Sequence, residues 1–156
     1  YGMKIYENAN AKDILYFPQK VSTLENFDDI YDNYQKYDLS NIAYGNRESM
    51  NLEDINSEAE VISRTSNILT AKITSDADTY LCFSQNYSPN WSVEIDGKKQ
   101  KLEMINGLIM GVAVPSGEHT VVFEYFDWFY VIGVALTALT AVLLIAGLIR
   151  GHVRRQ

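Results

Sequence analysis

From Trp128 to Ile149 the chain runs for 22 residues without a charged side chain, and Arg150, His152, Arg154 and Arg155 follow at once. A helix of that length rises about 33 Å at about 1.5 Å per residue, enough to cross the roughly 30 Å hydrocarbon core of a bilayer. Core helices of soluble domains seldom run so far without a charge, so the stretch is read as a transmembrane helix. Ten Lys or Arg and twenty Asp or Glu precede it, whereas three Arg and no acid follow. By the positive-inside rule the basic tail, residues 150–156, is expected in the cytoplasm and the acidic residues 1–127 outside. Trp128, Phe129 and Tyr130 then fall at the outer interface, and the arginines reach the inner headgroups.

The 127 residues before the span suffice for one domain with a real core. Their acidity argues against nucleic acid as a partner, because phosphate contacts need clustered cations and only Lys98, Lys99 and Lys101 come close. Those three are read as the solvated face of a hairpin. Cys82 is the single cysteine, so no internal disulfide is possible. The chain opens at Tyr1 without a signal peptide. A domain placed outside must be translocated by something upstream, so a cleaved leader or earlier transmembrane helices of the same protein are expected.

Lys4 to Tyr6 and Ile14 to Phe17 read as short strands. Ser22 with Glu25 makes a capping-box pattern, and Leu24, Phe27, Tyr31 and Tyr34 recur at helical spacing, which predicts a short amphipathic helix with Asp28, Asp29 and Asp32 in solvent. Asp38 to Ser57 reads as a loop. Strand patterns follow: Glu60 to Arg64 and Leu69 to Thr74 about a Thr-Ser-Asn turn, then Thr79 to Ser84 as a central strand. Trp91, Val93 and Ile95 alternate with polar residues. Asp96-Gly97 and Asn106-Gly107 are two-residue hairpin signals, because both pairs accept the positive φ of a type I′ turn. Leu108, Met110, Val112 and Val114 share one face of the next strand, and Val121, Phe123 and Tyr125 line the last. The expected fold is mainly β, an antiparallel β-sandwich of seven or eight strands with one short helix, followed by the C-terminal transmembrane helix. Only Phe126 and Asp127 separate Tyr125 from the span, a linker too short for the sandwich to swing far from the membrane.

Candidate chemistry is sparse. His119 and His152 have no Cys or His partner at zinc spacing. Asp76 and Asp78 open like a calcium loop, but Leu81 and Tyr87 stand where Gly and Glu are required. Glu94 and Asp96 share a strand face as a carboxylate pair, with Asp96 better explained as the turn residue. No metal or cofactor is called for, and no catalytic residue is assigned. Asn86-Tyr-Ser88 and Asn90-Trp-Ser92 match the glycosylation acceptor pattern. Tyr87 and Trp91 offer an aromatic platform for a glycan, against a core placement of Trp91 in step with Val93 and Ile95.

Tyr87-Ser-Pro-Asn-Trp-Ser-Val-Glu-Ile-Asp-Gly-Lys98, together with Val112-Ala-Val-Pro-Ser-Gly-Glu-His-Thr-Val-Val-Phe-Glu-Tyr125 and the helix after it, resembles the C-terminal end of the YfhO family. These are large multi-spanning bacterial membrane proteins, similar in layout to GT-C glycosyltransferases. The residues that carry the resemblance are Pro89, Trp91, Asp96, Gly97, Lys98, Pro115, Gly117, His119 and Tyr125, expected to be structural, and Met3-Lys-Ile-Tyr-Glu-Asn8 resembles the family's opening strand. Asn90 stands where the family usually has Gly. The resemblance implies a protein that uses a lipid-linked sugar to glycosylate a cell-envelope polymer such as a teichoic acid on the outer face of the membrane. In similar enzymes the catalytic acid lies in an early extracytoplasmic loop, which matches no part of this chain. Expected partners are membrane lipid, upstream transmembrane helices and a cell-envelope glycopolymer. The competing reading is a single-span surface protein whose sandwich is a glycan- or protein-binding module, and ten or more upstream hydrophobic spans would decide for the first.

Overall fold

The computed structural model describes residues 11–153. The chain divides into two units, Tyr1–Tyr125 and Phe126–Gln156. The expected strand Lys4 to Tyr6 and the segment Met3 to Asn8 lie outside the described residues, as do Arg154 and Arg155.

The first unit is a β-sandwich. Its seven-stranded sheet has the order β1(Leu15–Tyr16), β7(Thr79–Phe83), β11(Ile109–Val114), β10(Glu103–Ile105), β3(Ile42–Gly45), β2(Lys20–Thr23), β4(Met50–Asn51). The five-stranded sheet has the order β5(Ser57–Arg64), β6(Ile68–Ser75), β12(Gly117–Tyr125), β8(Trp91–Ile95), β9(Lys98–Gln100). Leu81, Phe83, Met110, Val112 and Val114 from one sheet meet Leu69, Ile73, Val93, Ile95, Val121 and Phe123 from the other in the main core. Apolar residues alternate along these strands because successive side chains point to opposite faces.

β7 is the exception, with all five residues buried. Leu81 and Phe83 enter the main core, while Tyr80 and Cys82 enter a second cluster with Val21, Ala43, Leu52 and Ile105. A strand covered on both faces reads as a continuous apolar run, which is why Thr79 to Phe83 lacks alternation. Gly111, paired with Cys82 across β11 and β7, lies under the Tyr80 ring. A Cβ there would come 2.7 Å from the Tyr80 hydroxyl oxygen, so the glycine supplies the space that the ring fills.

Both hairpin turns form as their residues require. Asp96 and Gly97 have φ of 51° and 74°, and Asn106 and Gly107 have 53° and 68°. Positive φ at both central positions is the type I′ geometry that matches strand twist.

Four expectations are corrected. The helix does not start behind Ser22: Ser22 and Thr23 extend β2, and α1 is only Asp28–Asn33. Pairing of β2 with β3 and β4 buries Val21 completely, which outweighs a local capping pattern. Ile30 rather than Tyr31 or Tyr34 is the buried residue of α1, and a six-residue helix is too short to present two turns of an apolar face. The β2–β3 pair is parallel, so the chain needs a crossover between the two strands, and α1 lies in it. Residues 38–57 are not one loop, since β3 and β4 lie within them and Ser57 opens β5. Among the described residues twelve strands are present where seven or eight were expected, the surplus being pieces of two to four residues defined by their partners.

The second unit is α2(Trp128–Val153). Asp127 starts it, accepting hydrogen bonds at Oδ1 from the N–H groups of Phe129 at 2.9 Å and Tyr130 at 3.3 Å, which satisfies two orphan donors and places a negative charge at the positive end of the helix dipole. Trp128–Ala146 has a mean hydropathy of 2.4 and every residue in it is exposed. The hydroxyls of Thr137 and Thr140 donate to the carbonyls of Gly133 and Leu136, both at 2.8 Å, leaving neither group in need of water. The length and composition of this stretch suit a membrane span.

Candidate functional site

The nine motif residues gather on one ladder, because β8 and β12 are adjacent strands and the turns at their ends bring in the rest. At one end Trp91 pairs with Tyr125, their ring centroids 5.4 Å apart, and the Phe83 ring meets the indole edge-on at 5.5 Å. Asn90 Nδ2 donates to the Tyr125 hydroxyl at 3.4 Å. Exposed Pro89 occupies the second position of the turn closed by Trp91 N–H to Ser88 O at 3.0 Å. Asn90 is not among the residues with positive φ, so glycine's freedom is not required there.

The other end carries the motif's polar residues. Asp96 Oδ1 accepts the Thr120 N–H at 2.9 Å, and Asp96 Oδ2 stands 2.7 Å from His119 Nδ1. His119 Nε2 is 3.1 Å from the Ser116 carbonyl oxygen. Both neighbours of the imidazole are acceptors, so satisfying both ring nitrogens requires the doubly protonated, charged form. The hydrogen bond to Asp96 raises the His119 pKa above its ordinary 6.5, assisted by Ser116, and the same bond, with the Thr120 N–H and the Lys98 charge behind it, holds Asp96 below 3.8. Lys98 opens the exposed β9, Gly117 opens β12 with φ of 117°, and Pro115 lies exposed just before it. The polar motif residues therefore tie the β8–β9 turn to the start of β12.

A pH dependence follows. The raised His119 pKa contributes stability that is fully present below about pH 6.5 and is lost as pH rises through the folded value. Asp96 contributes stability that is present above about pH 3.8 and is lost as pH falls through its lowered value. The stability difference between the native chain and His119→Gln is expected to be largest between about pH 4 and 6.5 and to shrink toward pH 9, measured by urea unfolding across pH. A difference independent of pH would mean that the imidazole is held neutral.

Tyr87 forms no ring pair with Trp91 among the described residues. It is exposed, its N–H donates to Leu108 O at 2.8 Å, and the rings that meet Trp91 are Phe83 and Tyr125. Trp91 itself packs against the main core. Half-buried Glu94 lies across from Lys99 on β9, an opposite-charge register pair of the hairpin, while Asp96 is engaged with His119 and the Thr120 N–H.

A second constellation is invisible in the sequence pattern. Glu103 on β10, its side chain 12% exposed, accepts at Oε2 from Arg47 at 3.2 Å and from the Tyr80 hydroxyl at 3.1 Å, and its Oε1 faces Lys101 Nζ at 2.8 Å. The Arg47 guanidinium lies 4.6 Å from the Tyr80 ring centroid, a cation–π distance. Burial, then the Glu103 charge, pushes the Tyr80 phenol well above its ordinary value, so it stays a donor. Arg47, Gln100, Lys101, Glu103, Val112 and Ala113 line a cleft of about 200 Å³. Arg47 follows β3 in a stretch without pattern, 56 residues from Glu103, so no local signal joins them.

The family model described as bacterial membrane protein YfhO matches residues 17–137, which takes in all nine motif positions. No curated protein and no solved structure matches the chain.

Proposed function

The chain belongs to the YfhO family of bacterial membrane proteins, and on that ground we propose that it forms the extracytoplasmic domain and last transmembrane helix of a membrane glycosyltransferase. Residues 1–127 stand outside the cell membrane, residues 128–149 cross it, and residues 150–156 are cytoplasmic. The parent enzyme transfers sugar from a lipid-linked donor to a cell-envelope polymer such as a teichoic acid, and the sandwich orients the polymer while upstream transmembrane helices bind the donor.

The observation that supports this most is the junction of a β-sandwich with an exposed apolar helix capped by Asp127, in a chain of that family. The internal use of the motif's polar groups agrees with an accessory role, since Asp96 and His119 are spent on each other and on backbone. A general acid or base needs a free path to substrate. The cleft beside Arg47 favours one further reading, a single-span surface protein whose sandwich is a glycan- or protein-binding module.

Sugar transfer from a radiolabelled lipid-linked donor to envelope polymer separates the two. Membranes containing the full-length protein should transfer label, the purified chain alone should transfer none, and removal of residues 12–125 from the full-length protein should cut transfer at least tenfold. Undiminished transfer after that removal would refute an orienting role. Sustained turnover by the chain alone, abolished by Asp96→Asn, would make the sandwich itself the enzyme.

A further inference from the structure

We propose that the cleft between Arg47 and Lys101 binds one oxyanion group, a phosphate or a carboxylate carried by a larger ligand. This site is independent of whether the parent protein transfers sugar. Two cations, Arg47 and Lys101, share the single carboxylate of Glu103, which leaves one positive charge uncompensated in a chain whose net charge is −7. Both Glu103 oxygens are engaged: one holds Lys101, and the other holds Arg47 and Tyr80.

The cations, by contrast, have donors to spare. Arg47 sends Nη1 to Glu103 and Nη2 toward Met50 Sδ at 3.5 Å, and each of these nitrogens carries a second N–H. The planar guanidinium fork fits two oxygens of one oxyanion. The Lys101 side chain is 78% exposed, so it remains accessible to a ligand while it is paired. Gln100 adds amide donors, and the cleft floor is completed by β11 at Val112 and exposed Ala113.

Size sets the class of ligand. The cleft's roughly 200 Å³ is below the ~300–1,000 Å³ of pockets that enclose a whole small molecule. It takes one charged group and leaves the remainder of the ligand outside, over exposed β9, where Lys98 and Lys99 extend the positive potential.

The test uses the whole chain in detergent micelles, with backbone amide and methyl NMR signals of Val112 and Ala113 followed during titration with sodium phosphate, sodium acetate and methyl glucoside at constant ionic strength. Saturable shifts with phosphate, acetate or both are expected, the tighter probe identifying the group, and none with the uncharged sugar. Lys101→Gln should weaken binding about fivefold. Lys72→Gln, on β6 three strands from β9 and outside the cleft lining, should leave it within about twofold. Arg47→Gln removes a buried tie and is exposed to misfolding, so Glu103→Gln supplies the second arm: losing the competing carboxylate should tighten oxyanion binding, whereas loss of a purely structural ion pair would not. The proposal is overturned by unsaturable shifts with both anions, by equal affinity of Lys101→Gln and the native chain, by equal binding of methyl glucoside, or by weaker binding in Glu103→Gln.

Discussion

Trp91→Ala is expected to destabilise the sandwich by about 3 kcal/mol, at the low end of large-aromatic deletions because the indole is only partly buried. The side chain closes the main core where β8 and β12 end, with Phe83 edge-on at 5.5 Å and Tyr125 at 5.4 Å. Phe83 in turn packs on the fully buried Phe123 at 4.7 Å, so removing the indole opens a gap beside two further rings. Such packed aromatic pairs add to the area term. A loss of that size is a large part of the 5–15 kcal/mol that ordinarily holds a domain together. Denaturant unfolding of the native and variant chains measures it directly. Tyr87→Ala, at an exposed site, should change stability by less than about 0.5 kcal/mol. An unchanged unfolding midpoint for Trp91→Ala, together with lost retention on an envelope-glycan column, would make Trp91 the sugar platform and its core role wrong.

Thr137→Arg is expected to cut membrane insertion of α2 about a hundredfold. Position 137 is at the middle of Trp128–Ala146, where an arginine costs about 2.5–3.5 kcal/mol on insertion scales, and each 1.4 kcal/mol is tenfold. The native threonine avoids that penalty through its bond to Gly133 O. Carbonate extraction of membranes should retain the native chain and release most of the variant. Equal retention would mean that α2 is held by something other than lipid. The same cells read the proposed sidedness. An impermeant maleimide should label Lys99→Cys, on exposed β9, in intact cells and should miss a cysteine placed after Arg155. Cys82 does not interfere, because it is fully buried and burial pushes its thiol up to about 12. The opposite labelling pattern would invert the topology.

The features legible in the sequence are those whose cause is local. A run of 22 uncharged residues states its length and its solvent in its own composition, and Asp96-Gly97 and Asn106-Gly107 state their turns because few residue pairs accept positive φ twice. Alternation in β8, β11 and β12 gave their core faces for the same reason. The residues that carry the family resemblance were legible as a set, but their reason was not. Only the pairing of β8 with β12 brings Asp96 to His119 and Trp91 to Tyr125.

Tertiary structure alone decided the rest. Ser22 carries a helix-start pattern and lies in a strand, because burying Val21 between β3 and β4 is worth more than a cap. Strands as short as Met50–Asn51 have too few residues to show a period, so they exist only where a neighbour supplies the hydrogen bonds. Arg47, Tyr80, Lys101 and Glu103 are each unremarkable in their own segments. Their meeting in one cleft depends on Gly111 leaving room for the Tyr80 ring and on β10 lying beside β3, placements set by long-range packing that residue type and spacing do not encode.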